Sequence, residues 1–145
     1  AVEMAVRMPE GKVYAIEKKP LAVELLKKNK IKFAADNLEI VEGEAPFAME
    51  GLQPPTHVFI GGSSGKMKEI MELLLEKNPE VRIVINCIAL ETVSETLHCL
   101  KALPVEDTEI VQAAVSRAKK AGNYHMMTGE NPITIISCTG KRRQE

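Results

Sequence analysis

Tryptophan is absent from this 145-residue chain, aromatic residues make up only 3% of it, and 19 basic against 20 acidic side chains leave a net charge of −1. The core must therefore be aliphatic, with the seven methionines as filler. A near-neutral balance excludes the global basic field that nucleic acid or an anionic membrane would attract. No apolar run approaches the ~20 residues of a membrane-spanning helix, and the amino terminus carries no signal-peptide pattern. Cysteine is sparse too. Cys87, Cys99 and Cys138 are an odd number, widely spaced inside apolar runs. They are expected to be reduced, buried thiols of a cytoplasmic protein, forming neither a disulfide frame nor a zinc site. His57, His98 and His125 show no metal-ligand spacing, so no metal is expected.

Two phosphate-binding patterns are also missing. Neither G-x-G-x-x-G nor G-x-x-x-x-G-K-[ST] occurs, and Gly61–Lys66 (GGSSGK) lacks both the spacing and the following hydroxyl residue, which weighs against ATP hydrolysis. No G-x-S-x-G elbow surrounds Ser63 or Ser64, so these read as helix caps, not nucleophiles.

What is present is organised around His57–Gly65, HVFIGGSSG. The apolar run Val58–Ile60 breaks into a glycine-serine turn before a helical segment, which makes a βα unit. Strands alternating with amphipathic helices flank it. The expected fold is α/β, a mostly parallel sheet with ligands at the carboxyl edge of its strands. With 45% hydrophobic residues the chain can bury roughly two-thirds of its unfolded surface, so one domain over residues 1–145 is expected.

Ala1, Met4, Ala5 and Met8 repeat at helical spacing until Pro9 and Gly11. No strand leads into that helix, so the expectation is a domain truncated at its amino end, lacking its first strand. Lys12–Glu17 reads as a strand, and Lys19-Pro20 opens a helix with a Leu21, Ala22, Leu25, Leu26 stripe. Asn37–Glu42 is the next strand, ending in the turn Glu42-Gly43-Glu44-Ala45-Pro46. Met67, Ile70, Met71, Leu74 and Leu75 form a helical stripe that stops at Asn78-Pro79. Val81–Ala89 has the nearly all-apolar pattern of a strand covered on both faces. A capping box from Thr92 to Glu95 starts a helix carrying Val93, Leu97 and Leu100. Glu109–Ser116 and Ile133–Cys138 are two further strands, and the connection Arg117–Pro132 is either a functional loop or a hidden hairpin. Lys141-Arg142-Arg143 reads as a solvated tail.

Glu17 is the sharpest single signal, because an acid ending the second strand of a nucleotide-binding α/β fold can accept hydrogen bonds from both ribose hydroxyls. Simple solvation is the alternative. Glu44 presents a carboxylate at the adjacent strand edge, and the pair suits a ligand with a ribose and an exocyclic amine. Ala45, small and followed by Pro46, offers its N–H to a ring nitrogen. Asn86, a polar amide in an apolar strand, either satisfies itself internally or faces a ligand. Tyr124 and His125 either form a lid with an acid near neutral pH or lie in a loop without chemistry.

Taken together, KVYAIEKKP, NLEIVEGEAP, VFIGGSSG, VINCIALET and the late GNYHMM with NPITIIS resemble the S-adenosylmethionine-dependent precorrin methyltransferases of cobalamin biosynthesis. Within them the chain is most similar to the decarboxylating precorrin-6Y C(5,15)-methyltransferases. The resemblance implies a Rossmann-like class I methyltransferase sheet, mostly parallel with one antiparallel strand near the carboxyl end. It implies S-adenosyl-L-methionine as cofactor, with Glu17 on the ribose, Glu44 and Ala45 around the adenine, and Gly61 and Gly62 in the cofactor loop. Asn86, Tyr124 and His125 would then border a tetrapyrrole that is methylated at C-15 and loses the carboxyl group of its ring C acetate. Such enzymes are commonly homotetramers. The family's glycine-rich first-strand motif does not occur in this sequence. Two readings from other classes compete: a nicotinamide-dependent oxidoreductase, which the acid after a strand also fits, and a non-catalytic structural fragment.

Overall fold

The computed structural model describes residues 1–142, which form two compact units, Ala1–Leu52 and Gln53 onward. Each is a piece of α/β structure. The first contains helix α1 (Val2–Arg7), strand β1 (Val13–Glu17), helix α2 (Pro20–Lys32), strand β2 (Leu38–Glu42) and a 3₁₀ turn at Phe47–Met49. Strands β1 and β2 pair in parallel, with Val13 opposite Leu38 and Glu17 opposite Glu42. Parallel pairing requires a crossover, and α2 supplies it. The unit's core is Ala5, Val13, Ala15, Ala35 and Leu38. One amide closes it: Asn37 Nδ2 donates to the carbonyls of Ala5, Met8 and Gly11, fixing the turn that carries α1 into β1.

The expected α2 stripe is corrected. Val23 is the buried residue, whereas Leu21 and Leu25 are 87% and 58% exposed. This helix is apolar on more than one side, so helical spacing alone could not choose which side turns inward.

The second unit begins with β3 (His57–Ile60), helix α3 (Met67–Lys77), β4 (Arg82–Cys87) and helix α4 (Leu90–Ala102). Then follow β5 (Val105–Ala113), β6 (Ser116–Ala121), β7 (Tyr124–Gly129) and β8 (Ile133–Gly140). The sheet order is β3-β4-β8-β5, with β3 parallel to β4 and β8 antiparallel to both β4 and β5. The one strand of opposite sense near the carboxyl end is therefore present. Register places Ile60, Ile83, Ile85, Ile136 and Cys138 on one face, all buried, and the whole predicted stripe of α3 is buried with them. All three cysteines are free and buried.

Two expectations need correction here, and one open alternative is decided. Helix α4 starts at Leu90 and takes no cap from Thr92; its buried positions are Thr96 and Cys99, while Leu97 is exposed. Neither Ser63 nor Ser64 caps α3, whose N-cap is Lys66 without a side-chain bond. The connection after β5 is a separate hairpin, β6 with β7, turning at Gly122, whose φ of +62° suits the two-residue hairpin turn it makes with Asn123. Lys141 and Arg142 are exposed, as a solvated tail would be, and make surface ion pairs with Glu106 and Glu80, each at 3.2 Å. Arg143 lies outside the described residues. Among the described residues no helix is long and apolar enough to cross a membrane.

Candidate active site

In the first unit, β1 ends where the chain must turn into α2. Glu17 Oε1 accepts the N–H groups of Lys18 at 2.9 Å and Lys19 at 2.8 Å, which orients the carboxylate and leaves Oε2 without a protein hydrogen bond among the described residues. The strand beside it ends in step. Gly43 N–H donates to the Glu17 carbonyl at 3.0 Å, and Gly43 is at φ +155° with the Ala48 Cβ only 3.0 Å from where its own Cβ would stand. Any side chain there would strain the turn that delivers Glu44.

Glu44 Oε1 receives Lys18 Nζ at 2.6 Å. Glu42 is paired with Lys27 at 2.9 Å, and that bond holds the Lys27 ammonium above its usual range. The Ala45 N–H takes no acceptor among the described residues, since the turn behind it is closed by Ala48 N–H on the Glu44 carbonyl and Met49 N–H on the Pro46 carbonyl. Glu17, Glu44 and Ala45 thus stand on one edge of one unit. They offer an oriented carboxylate oxygen, a second carboxylate and an open N–H.

In the second unit, Gly61 and Gly62 follow β3. A Cβ at Gly62 would meet nothing within 4 Å and one at Gly61 only the Phe59 ring at 3.5 Å, so neither glycine is demanded by crowding within the chain. Positive φ falls instead on Ser64 (52°) and Gly65 (76°), where the loop bends into α3. Asn86 is half-buried on β4 opposite Ile135, and its amide makes no hydrogen bond among the described residues. Its amide atoms are reached by solvent, so the strand position demands neither an internal partner nor a ligand.

Sequence reasoning missed the partner of α3. Met67 N–H, at the start of that helix, donates 3.0 Å to Glu95 Oε1 from α4. A carboxylate of the chain itself therefore occupies the helix N-terminus that a phosphate would need. Only the tertiary pairing of α3 with α4 reveals it.

The hairpin leaves the sheet at the edge where β4 ends, for Gln112, Thr134 and Cys87 are in register there. Tyr124 and His125 lie at its far end, next to the turn. Five residues at ~3.3 Å separate Tyr124 from the base at Gly129, about 16 Å. Lys120 stands opposite His125 and Lys119 opposite Met126. Neither lysine makes an ion pair among the described residues, whereas Arg117 is bound by Glu130.

The family model of the precorrin methyltransferase domain matches residues 1–140. The chain belongs to the precorrin methyltransferase family. It is 37% identical over 129 residues to a probable cobalt-precorrin-6B C(15)-methyltransferase (decarboxylating) of Sulfolobus acidocaldarius, covering 88% of this chain and 66% of that protein. The corresponding Salmonella typhimurium enzyme is 31% identical over 139 residues, covering 95% and 71%. The crystal structure of a precorrin-6Y C5,15-methyltransferase from Geobacter metallireducens superposes with a TM-score of 0.85 at 31% identity, covering 95% of this chain and 73% of that one. The chain thus spans about two thirds of the length of such relatives. An O-methyltransferase of Thermotoga maritima, at 19% identity and a TM-score of 0.70, shares the fold alone. The fold is the Rossmann-like one of class I methyltransferases, and membership of this family disfavours the nicotinamide-dependent alternative.

Proposed function

We propose that this chain is the catalytic part of a methyltransferase that uses S-adenosyl-L-methionine to methylate a precorrin at C-15 and removes carbon dioxide from the ring C acetate in cobalamin biosynthesis. The observation that carries the cofactor assignment is the Glu17 carboxylate: one oxygen is held by two backbone N–H groups and the other is open. A rigid, half-satisfied carboxylate at a strand end suits two vicinal hydroxyls. The open Ala45 N–H and the Glu44 carboxylate suit a ring nitrogen and an exocyclic amine, so the residues present fit an adenosine.

When bound, the cofactor's sulfonium supplies an electrophilic methyl group. Transfer to an electron-rich ring carbon asks the protein mainly for alignment and exclusion of water. The Gly61–Gly65 loop, with Gly61 and Gly62 leaving room, and the solvent-reached amide of Asn86 border the acceptor in this reading. Loss of carbon dioxide needs a proton delivered to the macrocycle, and the hairpin segment Tyr124–His125 carries the candidate donors. Lys119 and Lys120 offer positive charge to the substrate's carboxylates.

In this reading the two units belong to one catalytic domain, as a family model spanning 1–140 supports. The protein works in the cytoplasm on a small-molecule tetrapyrrole, without nucleic acid or membrane. It assembles as a homo-oligomer, a tetramer.

Incubation of the full-length protein with S-adenosylmethionine and a precorrin, followed by mass spectrometry, tests the assignment. A product heavier by one methyl and lighter by one carbon dioxide is expected. An unchanged macrocycle together with no calorimetric heat of cofactor binding would overturn it.

A further inference from the structure

Helix α3 begins directly after the Gly61–Lys66 loop, and its N-cap residue, Lys66, makes no side-chain capping bond. The first free N–H, that of the fully buried Met67, finds its acceptor 28 residues later, in Glu95 Oε1 at 3.0 Å. Glu95 lies on α4, the helix that follows the loop after Asn86. Its neighbour Thr96 is fully buried, donates to the Thr92 carbonyl at 2.7 Å and touches Cys87 Sγ at 3.8 Å, beside Asn86 at the end of β4. One turn of α4 therefore grips both the start of α3 and the end of β4. A carboxylate at a helix N-terminus makes a charge-assisted bond and meets the favourable end of the helix dipole.

We propose that Glu95 is a positioning residue: its bond to Met67 N–H fixes the Gly61–Lys66 loop relative to the β4 end that carries Asn86, so that the two parts of the acceptor site stay in register. The proposal rests on the methyltransferase reading for its catalytic consequence, but not for its structural one. Ser63–Lys66 makes a turn bond from Lys66 N–H to the Ser63 carbonyl, Ser64 is at positive φ, and the next N–H along the chain is the one Glu95 holds, so the loop runs straight into that anchor.

Glu95→Ala, Glu95→Asp and Glu95→Gln in the full-length protein provide the test, read by amide hydrogen exchange and by kinetics. Glu95→Ala is expected to speed exchange over residues 62–68 about tenfold while β4 and β8 keep their protection, as loss of one charged hydrogen bond implies. Glu95→Asp, one methylene too short, should behave like alanine, and Glu95→Gln, which keeps the acceptor oxygen, should restore most of the protection. If the protein methylates a precorrin, Glu95→Ala should lower kcat about tenfold with the KM for S-adenosylmethionine unchanged, and Glu95→Gln should recover it. Exchange over residues 62–68 unchanged in the alanine variant, or equal loss of protection throughout the unit, would overturn the proposal. Should Glu95→Ala fail to fold, glutamine and aspartate variants with identical exchange over that loop would do the same. An inactive wild type with the expected exchange pattern would instead refute the methyltransferase reading alone.

Discussion

Lys18 Nζ lies 2.6 Å from Glu44 Oε1, while the backbone N–H of the same lysine donates to Glu17 Oε1. One residue thus couples two carboxylates through two different groups, and substitutions can separate them. Glu17→Ala should weaken S-adenosylmethionine binding by ~1–3 kcal/mol, the scale for charge-assisted hydrogen bonds. Lys18→Ala keeps the N–H on Glu17 and removes the half-exposed ion pair with Glu44, so its effect should be at most a few-fold. Calorimetry on both variants is the check, and equal losses would refute the ribose role of Glu17.

Asn86 yields a contrast between stability and function. Its amide has no hydrogen-bond partner among the described residues, so Asn86→Ala should shift the unfolding free energy by no more than about 0.5 kcal/mol. Turnover of the precorrin should fall far more than that shift could explain. A denaturant midpoint lowered in proportion to activity would return Asn86 to the structural reading.

Much of this was legible in the sequence where period and termination agreed. Helix α3 is the clearest instance, with every residue of its predicted stripe buried, and Glu17 ends β1 as its charge after an apolar run suggested. Helix α2 defeated the same logic because leucines occupy more than one of its sides. The Thr92–Glu95 box failed for a different reason. Its glutamate had a better partner in α3, a choice made by tertiary packing that no local pattern records. At the candidate site the edge positions of Glu17, Glu44 and Ala45 could be read from strand ends, and Asn86 from its polarity within an apolar strand. Whether each polar atom was already satisfied could not, because that depends on neighbours distant in sequence.

Burial pushes the Cys138 thiol above its ordinary range, partly offset by Arg82. The unfolded chain then ionises this group first, so its contribution to stability is fully present below about pH 8.5 and is lost as pH rises above that value. Urea midpoints should therefore fall between pH 7 and 9.5, and the fall should be smaller in Cys138→Ala. An identical decrement in both proteins would remove the thiol from the account.

Gly140 ends β8 against the turn after α3. A Cβ there would stand 2.3 Å from the Pro79 carbonyl oxygen and 2.6 Å from Leu75 Cδ2, and the backbone oxygen cannot swing aside as a side chain could. Gly140→Ala should destabilise the protein by about 1–3 kcal/mol, the usual cost of overpacking. Gly62→Ala, where nothing lies within 4 Å, is the control and should leave the melting temperature within a degree or two.

Tyr124 and His125 are consecutive on β7, and consecutive residues of a strand point to opposite faces. Register puts Tyr124 on the face shared with Ala121 and Lys119, and His125 on the face shared with Lys120 and Ala118. A substrate lying against one face of the hairpin can meet only one of the two side chains, so they cannot both be proton donors to the same ring. Histidine is the side chain most often used to pass a proton to a reacting group. His125→Ala should accordingly give a macrocycle that gains its methyl group and keeps its acetate carboxyl. Tyr124→Phe should decarboxylate at the wild-type rate relative to methylation. Mass spectrometry separates the two products by the mass of carbon dioxide. The reverse pattern would assign the proton to Tyr124 and its face, and two variants that both decarboxylate normally would move the acid off the hairpin altogether.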